Sequence, residues 1–151
     1  MRRKDREITG RAEVEAILDE ALVCRIGLAD GGDPYIVPVS FGYGNGYVYI
    51  HSAGEGRKIA LLEKNPRCCF EVDICDGVVR GGQPCSWGMR YRSVIGFGTA
   101  AILTDPEEKR YGLACIMRHY GGGSHQFTVS DLASVTVIRI AVESMTGKKH
   151  E

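Results

Sequence analysis

The sequence predicts a mainly β domain: a largely antiparallel barrel, closed or partly closed, with a few flanking helices. Three observations predict it. Many of the twenty glycines fall in clusters that read as turns, at Gly31-Gly32, Gly42 to Gly46, Gly81-Gly82 and Gly121 to Gly123, and these cut the chain into short segments. Most segments read as strands joined by only a few residues, so neighbouring strands run antiparallel. Helical spacing is confined to three stretches, too few for the regular strand–helix alternation of a doubly wound sheet. The chain has 151 residues and no internal repeat, so a single domain spanning 1–151 is expected.

The elements follow in order. In "RAEVEAILDEA" (11–21), Val14, Ile17, Leu18 and Ala21 recur at helical spacing, and Thr9 is placed to cap that helix. "LVCRIGLA" (22–29) alternates as a strand and "DGGDP" turns it. "YIVPVSFGY" (35–43) reads as a second strand, in which Pro38 cannot donate a ladder bond and so calls for an edge, a bulge or a ligand. "GNG" makes the next turn and "YVYIHS" a third strand. "RKIALLEKN" (57–65) is a short helix that Pro66 stops, and "RCCFEVD" is a fourth strand. Residues 75–90 show no period and read as a loop. "YRSVIGFGTAAILT" (91–104) is a long strand kinked at Gly96 or Gly98. Thr104 or Asp105 caps a helix that Pro106 opens, with Glu107 and Glu108 in its first turn. "GGGSHQFTVSDL" reads as a loop, and "SVTVIRIAVESMTGKK" as a last strand with a polar tail.

Composition narrows the function. The 19 basic and 19 acidic residues cancel, so no global basic field argues for nucleic acid. No apolar run approaches the roughly 18 residues that span a bilayer, and the basic N-terminus leads into no signal core, so a cytoplasmic protein without a membrane partner is expected. The six cysteines form no CxxC pair and are expected as free thiols. Cys24, Cys68, Cys69 and Cys115 suit a core, while Cys75, Cys85 and a distant His make an incomplete zinc set, so no metal is expected. His119 and His125 read as surface residues.

One segment carries chemistry. "HSAGEGRK" (51–58) sets two glycines and small residues ahead of a helix start, where free N–H groups and the helix dipole favour an anion. Arg57 adds a bidentate fork and Lys58 a point charge. This is an anion cradle suited to a phosphate monoester, though GxxxxGK[ST] is absent; the plain alternative is a strand–turn–helix with two solvated bases. "YIVPVSF" just upstream can lay backbone and apolar surface along a flat ring. A ring with a phosphate suggests flavin mononucleotide (FMN).

At this point "IVPVSFGYGNGYVYIHSAGEGRKIALLEKNPRCCFEVD", with "YRSVIGFGTAAIL" and the closing "ESMTGKK", resembles the pyridoxamine 5'-phosphate oxidase-like flavin proteins, and within them the Nim-type nitroimidazole-resistance branch. The resemblance implies a split β-barrel that forms a homodimer, with FMN at the subunit interface. It implies that Arg57 and Lys58 hold the phosphate with Ser52 assisting, that Pro38, Val39 and Ser40 run along the isoalloxazine, that Ile50 and His51 border it, and that Ser93 contacts it. Trp87, in the loop "CSWGMR", is either a core residue or a cover for the flavin or substrate cleft. His51 is either a strand-end histidine or, beside the flavin, the catalytic proton donor. The C-terminal "VIRIAVESMTGKKHE" lacks the Trp with which the oxidase proper grips its pyridoxal substrate, so vitamin B6 oxidation is not expected. The implied activity is FMN-dependent reduction of a small electron-poor molecule, such as a nitroheterocycle. The alternatives are a flavin- or haem-binding protein with a sensory or storage role, or a barrel that takes a deazaflavin.

Overall fold

The computed structural model describes residues 3–150. In chain order its elements are β1 (Glu7–Ile8), α1 (Arg11–Glu20), β2 (Cys24–Leu28), β3 (Tyr35–Val39), β4 (Phe41–Gly44), β5 (Tyr47–Ser52), α2 (Arg57–Lys64), β6 (Arg67–Val79), β7 (Gly88–Ile102), α3 (Pro106–His119), α4 (Val129–Ser134) and β8 (Thr136–His150), with 3-10 turns at Lys4–Arg6 and Pro84–Ser86. All strand pairs are antiparallel. The sheet order is β3-β2-β6-β7-β8-β5-β4, with β1 added on β8. The two ends of that order, β3 and β4, are consecutive in the chain and meet at Ser40, so the sheet curls round on itself into a split barrel.

The interior is filled from the strands that alternate most strictly. Cys24, Ile26 and Leu28 of β2, Cys68, Phe70 and Val72 of β6, and Val94 of β7 all point inward and are buried. Val14, Ile17 and Leu18 of α1 join this core. A second, smaller core lies outside the barrel, where α3 and α4 cover the outer face of β5 and the start of β8: Leu113, Cys115 and Ile116 of α3 and Leu132 of α4 pack with Tyr49 and Val137. Close approach here depends on Gly42, where a Cβ would come within 2.5 Å of the α3 backbone at Cys115. Asp105 caps α3, its carboxylate accepting from the Glu107 and Glu108 N–H groups at 3.0 and 2.9 Å.

Several sequence expectations are corrected. Residues 35–43 are two strands, broken at Ser40 where the chain turns the barrel corner. Residues 75–90 are a loop only in their middle: β6 runs to Val79 and β7 starts at Gly88, so half of the stretch is strand and the two strands make a long hairpin arm. A register shift between Cys75 and Gly77 breaks the alternation there, which hides the strands from a period-2 reading. In β7 the irregularity falls between Phe97 and Gly98. The stretch after Gly123 contains α4, whose Thr128 and Asp131 form a reciprocal cap. The expected polar tail is the second half of β8, paired with β7 as far as His150. Thr9 does not cap α1; Gly10 stands at the N-cap without a side-chain bond. His119 is not a surface residue: its Nε2 lies 2.7 Å from the Ala21 carbonyl and its ring packs 4.4 Å from that of Phe41.

Candidate functional site

The outer face of the sheet divides in two. One half, over β5 and the start of β8, lies under α3 and α4. The other half, over β3, β2, β6, β7 and the end of β8, has no element above it among the described residues, and the candidate site lies at its margin. There β3 forms one edge, and β5 ends at Ser52 and leads through residues 53–56 into α2.

The turn into α2 is built for a tight approach. Gly56 is the N-cap with φ at +118°, a conformation that side-chain-bearing residues rarely adopt, and no side chain caps the free N–H groups that follow. Arg57 opens the helix and lays its guanidinium over the Tyr35 ring of β3, 4.8 Å from the centroid. Lys58 follows and is half-buried. Burial lowers its pKa, since the charged ammonium loses water. Elsewhere on the surface Arg25, Arg67, Arg92 and Arg139 each hold a carboxylate. Among the described residues Arg57 and Lys58 hold none. Two cations without counter-ions at an uncapped helix start form a site of positive potential that an anion would neutralise.

Eight of the residues singled out from sequence fall around this turn. Ser52 is half-buried and pairs with Thr136 of β8. His51, on the outer face, is exposed, and its imidazole makes no hydrogen bond among the described residues. Ser40 lies just beyond the Phe41–Ile50 pair, beside His51, and is exposed, as is Pro38. β3 is an edge strand, which accommodates the proline. Val39 and Ile50 alternate the other way: Val39 packs against the barrel core and Ile50 is fully buried. The two can therefore border a ligand only through their backbone.

Trp87 and Ser93 are not part of this group on their own chain. Pro38 aligns through Arg25 and Glu71 with Ile95, which is three strands away. With strands about 4.8 Å apart and a rise of about 3.3 Å per residue, Ser93 lies roughly 15 Å from Pro38 along the sheet and Trp87 roughly 30 Å. Trp87 is 54% exposed at the arm tip and is not a core residue. Sequence reasoning missed Tyr35, the platform for Arg57; it reads as an ordinary strand aromatic, and nothing in the sequence joins it to a residue 22 positions away.

Other groups fit catalysis poorly. Cys24 and Cys68 are buried in the barrel, and burial pushes their thiols up to about 12 and about 11, so neither supplies a thiolate. Among the described residues no group of three or more His, Cys, Asp or Glu is arranged to hold a metal ion, and no helix is long and apolar enough to cross a membrane.

A sequence profile described as pyridoxamine 5'-phosphate oxidase matches residues 10–149. No curated protein matches the chain. Among solved structures, the chain is similar to a candidate 5-nitroimidazole antibiotic resistance protein from Bacteroides thetaiotaomicron, at 36% identity and a TM-score of 0.84, over 95% of this chain and 86% of that one. The fold is also that of the flavocytochrome Anf3 from Azotobacter vinelandii, at 22% identity and a TM-score of 0.87, over 100% of this chain and 72% of that one. It matches too an FAD and heme binding protein from Mycobacterium smegmatis, at 23% identity and a TM-score of 0.87, over 97% and 74% of the two chains. With the profile matched over residues 10–149 and a 36% identical relative spanning nearly its whole length, the chain belongs to the pyridoxamine 5'-phosphate oxidase family.

Proposed function

We propose that the protein is an FMN-dependent oxidoreductase that works as a homodimer and reduces small electron-poor molecules, with nitroheterocycles as the first class to test. The observation that carries this reading is the pair of uncompensated cations at the start of α2. A half-buried Lys58 with no counter-ion is costly unless an anion completes it. The adjoining N–H groups, the Arg57 fork and the Ser52 hydroxyl suit a phosphate monoester. A flat ring attached to that phosphate would extend along the exposed outer side of Pro38 and Ser40, against the backbone of Val39 and Ile50. The chain therefore fits FMN at the phosphate and along one edge of the ring.

When bound, the flavin supplies the two-electron redox chemistry, refilled by a reduced nicotinamide. The protein's own residues hold and orient. Arg57, braced on Tyr35, and Lys58 fix the phosphate end. Ser40 and the β3 backbone fix the ring edge. His51 lies opposite Ser40, exposed on the outer face where a substrate would approach, and its imidazole would donate a proton to the product. Trp87 and Ser93 lie too far from the cradle of their own chain to share it, so they would meet a flavin only as residues contributed by a second copy.

The test is an absorption spectrum of the purified protein followed by steady-state turnover with a reduced nicotinamide and a nitroimidazole. The expected result is an oxidised-flavin spectrum that bleaches under the reductant and recovers on addition of the nitro compound. A flavin that binds but never turns over would shift the assignment to a storage or sensory role. A haem or deazaflavin spectrum would replace the cofactor.

A further inference from the structure

The long strand β7 has an uncovered side. Strand alternation places Trp87, Met89, Tyr91, Ser93, Ile95 and Phe97 on the outer face, and Val78 of β6 joins them as the cross-strand partner of Met89. Trp87 is 54% exposed, Val78 54%, Met89 48%, Ile95 47% and Phe97 46%. Scattered exposed apolar residues are ordinary, but here they gather into two groups at the ends of one strand. Trp87, Met89 and Val78 stand at one end and Ile95 and Phe97 at the other, with the half-buried Tyr91 and Ser93 between them, and such grouping marks an interaction surface.

The two ends of the line differ in shape. At the arm tip Trp87, Met89 and Val78 form a projecting knob. At the far end, between Phe97 and the 67% exposed Ile36 of β3, lies an apolar groove of about 380 Å³ floored by Gly27 and Cys69 and closed at one side by Tyr35. At the floor the Cys69 thiol packs over Gly27, where a Cβ would come within 2.7 Å of the sulfur. Knob and groove sit on one sheet, roughly 33 Å apart at about 3.3 Å per residue, so the knob cannot enter the groove of its own chain. A two-fold axis near the middle of the strip brings each knob onto the other groove, the self-complementary arrangement that an isologous interface requires. The extent also suits a second copy. With β6 and β7 counted over the roughly 33 Å strip and β2, β3 and the end of β8 each counted at its own shorter length, strands about 4.8 Å wide give roughly 600 Å² of flat area, close to the roughly 800 Å² per partner of a standard interface once side-chain relief is added.

We propose that a second copy of this chain covers this face and that each subunit's Trp87 inserts into the apolar groove between Ile36 and Phe97 of the other. This rests on the dimer proposed above and assigns its central contact. Tyr35 lines the groove and, on its core-packed side, carries the Arg57 guanidinium, so the groove and the phosphate cradle share a residue.

Trp87 is the single tryptophan of the sequence, so its emission reads the contact directly. The experiment is sedimentation velocity with acrylamide quenching of Trp87, on flavin-free protein, for the parent and for Ile36→Asp. Ile36 is exposed on an edge strand, so the variant keeps its fold, which circular dichroism checks. The parent should sediment as a dimer with shielded Trp87. Ile36→Asp should weaken the dimer at least about tenfold and leave Trp87 as quenchable as free indole, the effect of spoiling a central aromatic contact. Trp87→Ala should weaken the dimer similarly. A parent dimer with freely quenched Trp87, or an Ile36→Asp dimer with Trp87 still shielded, would overturn the insertion. A parent that is monomeric at all concentrations would overturn the second copy altogether. FMN titration of the same samples reports separately on the flavin reading, which can fail while the contact stands.

Discussion

The covered and open halves of the outer sheet face are built from the same kind of strand and meet different fates. Over β5 and the start of β8, outward residues such as Tyr49 and Val137 are apolar and are buried beneath Leu113, Ile116 and Leu132. Over β7, outward residues such as Ile95 and Phe97 are equally apolar and stand in the open. A strand that is apolar on both faces needs a cover on both. Among the described residues α3 and α4 cover one half and no element covers the other, and it is on this open half that the proposed flavin and second subunit would lie. Arg57 and Lys58 hold no carboxylate at the margin of the open half, whereas Arg25 within that half holds Asp73 at 2.5 Å and Arg139, beside the covered half, holds Glu108 of α3 at 2.6 Å.

The contrast implies that substitutions in the two halves separate function from stability. The largest effect belongs to His51, at the boundary. His51→Ala should retain flavin and melting temperature while turnover per bound flavin falls about 10²- to 10⁴-fold, the cost of removing a positioned proton donor. Occupancy and turnover measured on one sample decide this, and unaltered turnover per flavin makes His51 a scaffold residue.

In the covered half, Leu113→Ala should cost about 2–5 kcal/mol of stability by denaturant unfolding, because it opens a cavity under α3. Ile95→Ala, in the open half, should cost no more than about 0.5 kcal/mol when measured in the Ile36→Asp background at a concentration where that variant sediments as a monomer. Equal losses at the two positions would erase the distinction between the halves.

Most of the fold was legible because its strands and helices follow simple periods. The core strands alternate, the start of α3 is marked by Asp105 and Pro106, and the apolar face of α1 falls at Val14, Ile17 and Leu18. The arm was not legible, since the shift between Cys75 and Gly77 interrupts the alternation and "RGGQP" reads as loop. The corner at Ser40 was hidden too, because a strand that leaves one end of a sheet and rejoins at the other keeps its composition. The cradle could be read as a motif, with its glycines, helix start and bases in sequence. What completes it could not: Arg57 on Tyr35 is a contact across the fold, and the separation of Trp87 and Ser93 from the turn follows from strand register alone.

A smaller effect sharpens the electrostatic side of the comparison. Burial depresses the pKa of Lys58 in the flavin-free protein, so the unfolded chain binds more protons than the folded one between the depressed and the ordinary lysine value. Stability of the flavin-free protein should therefore rise with pH through that window. A bound phosphate restores the charged form, so FMN binding should take up a proton and weaken as pH rises over the same range. Lys58→Arg, which does not titrate there, should flatten both trends. The smallest expected change is Asp105→Ala, about 1 kcal/mol of stability from the lost cap of α3 and no change in flavin affinity.

The central claim is that the cations at the start of α2 hold the phosphate of a flavin laid against the open half. Fluorescence titration of flavin-free protein with FMN and with riboflavin, in the parent, Arg57→Ala and Lys58→Ala, tests it most directly. The account predicts that FMN binds the parent far more tightly than riboflavin. It predicts that each substitution weakens FMN by about 1–3 kcal/mol, the range for a charged hydrogen bond, and leaves riboflavin unchanged. Equal affinity of the parent for the two flavins, or FMN binding indifferent to both substitutions, would contradict it.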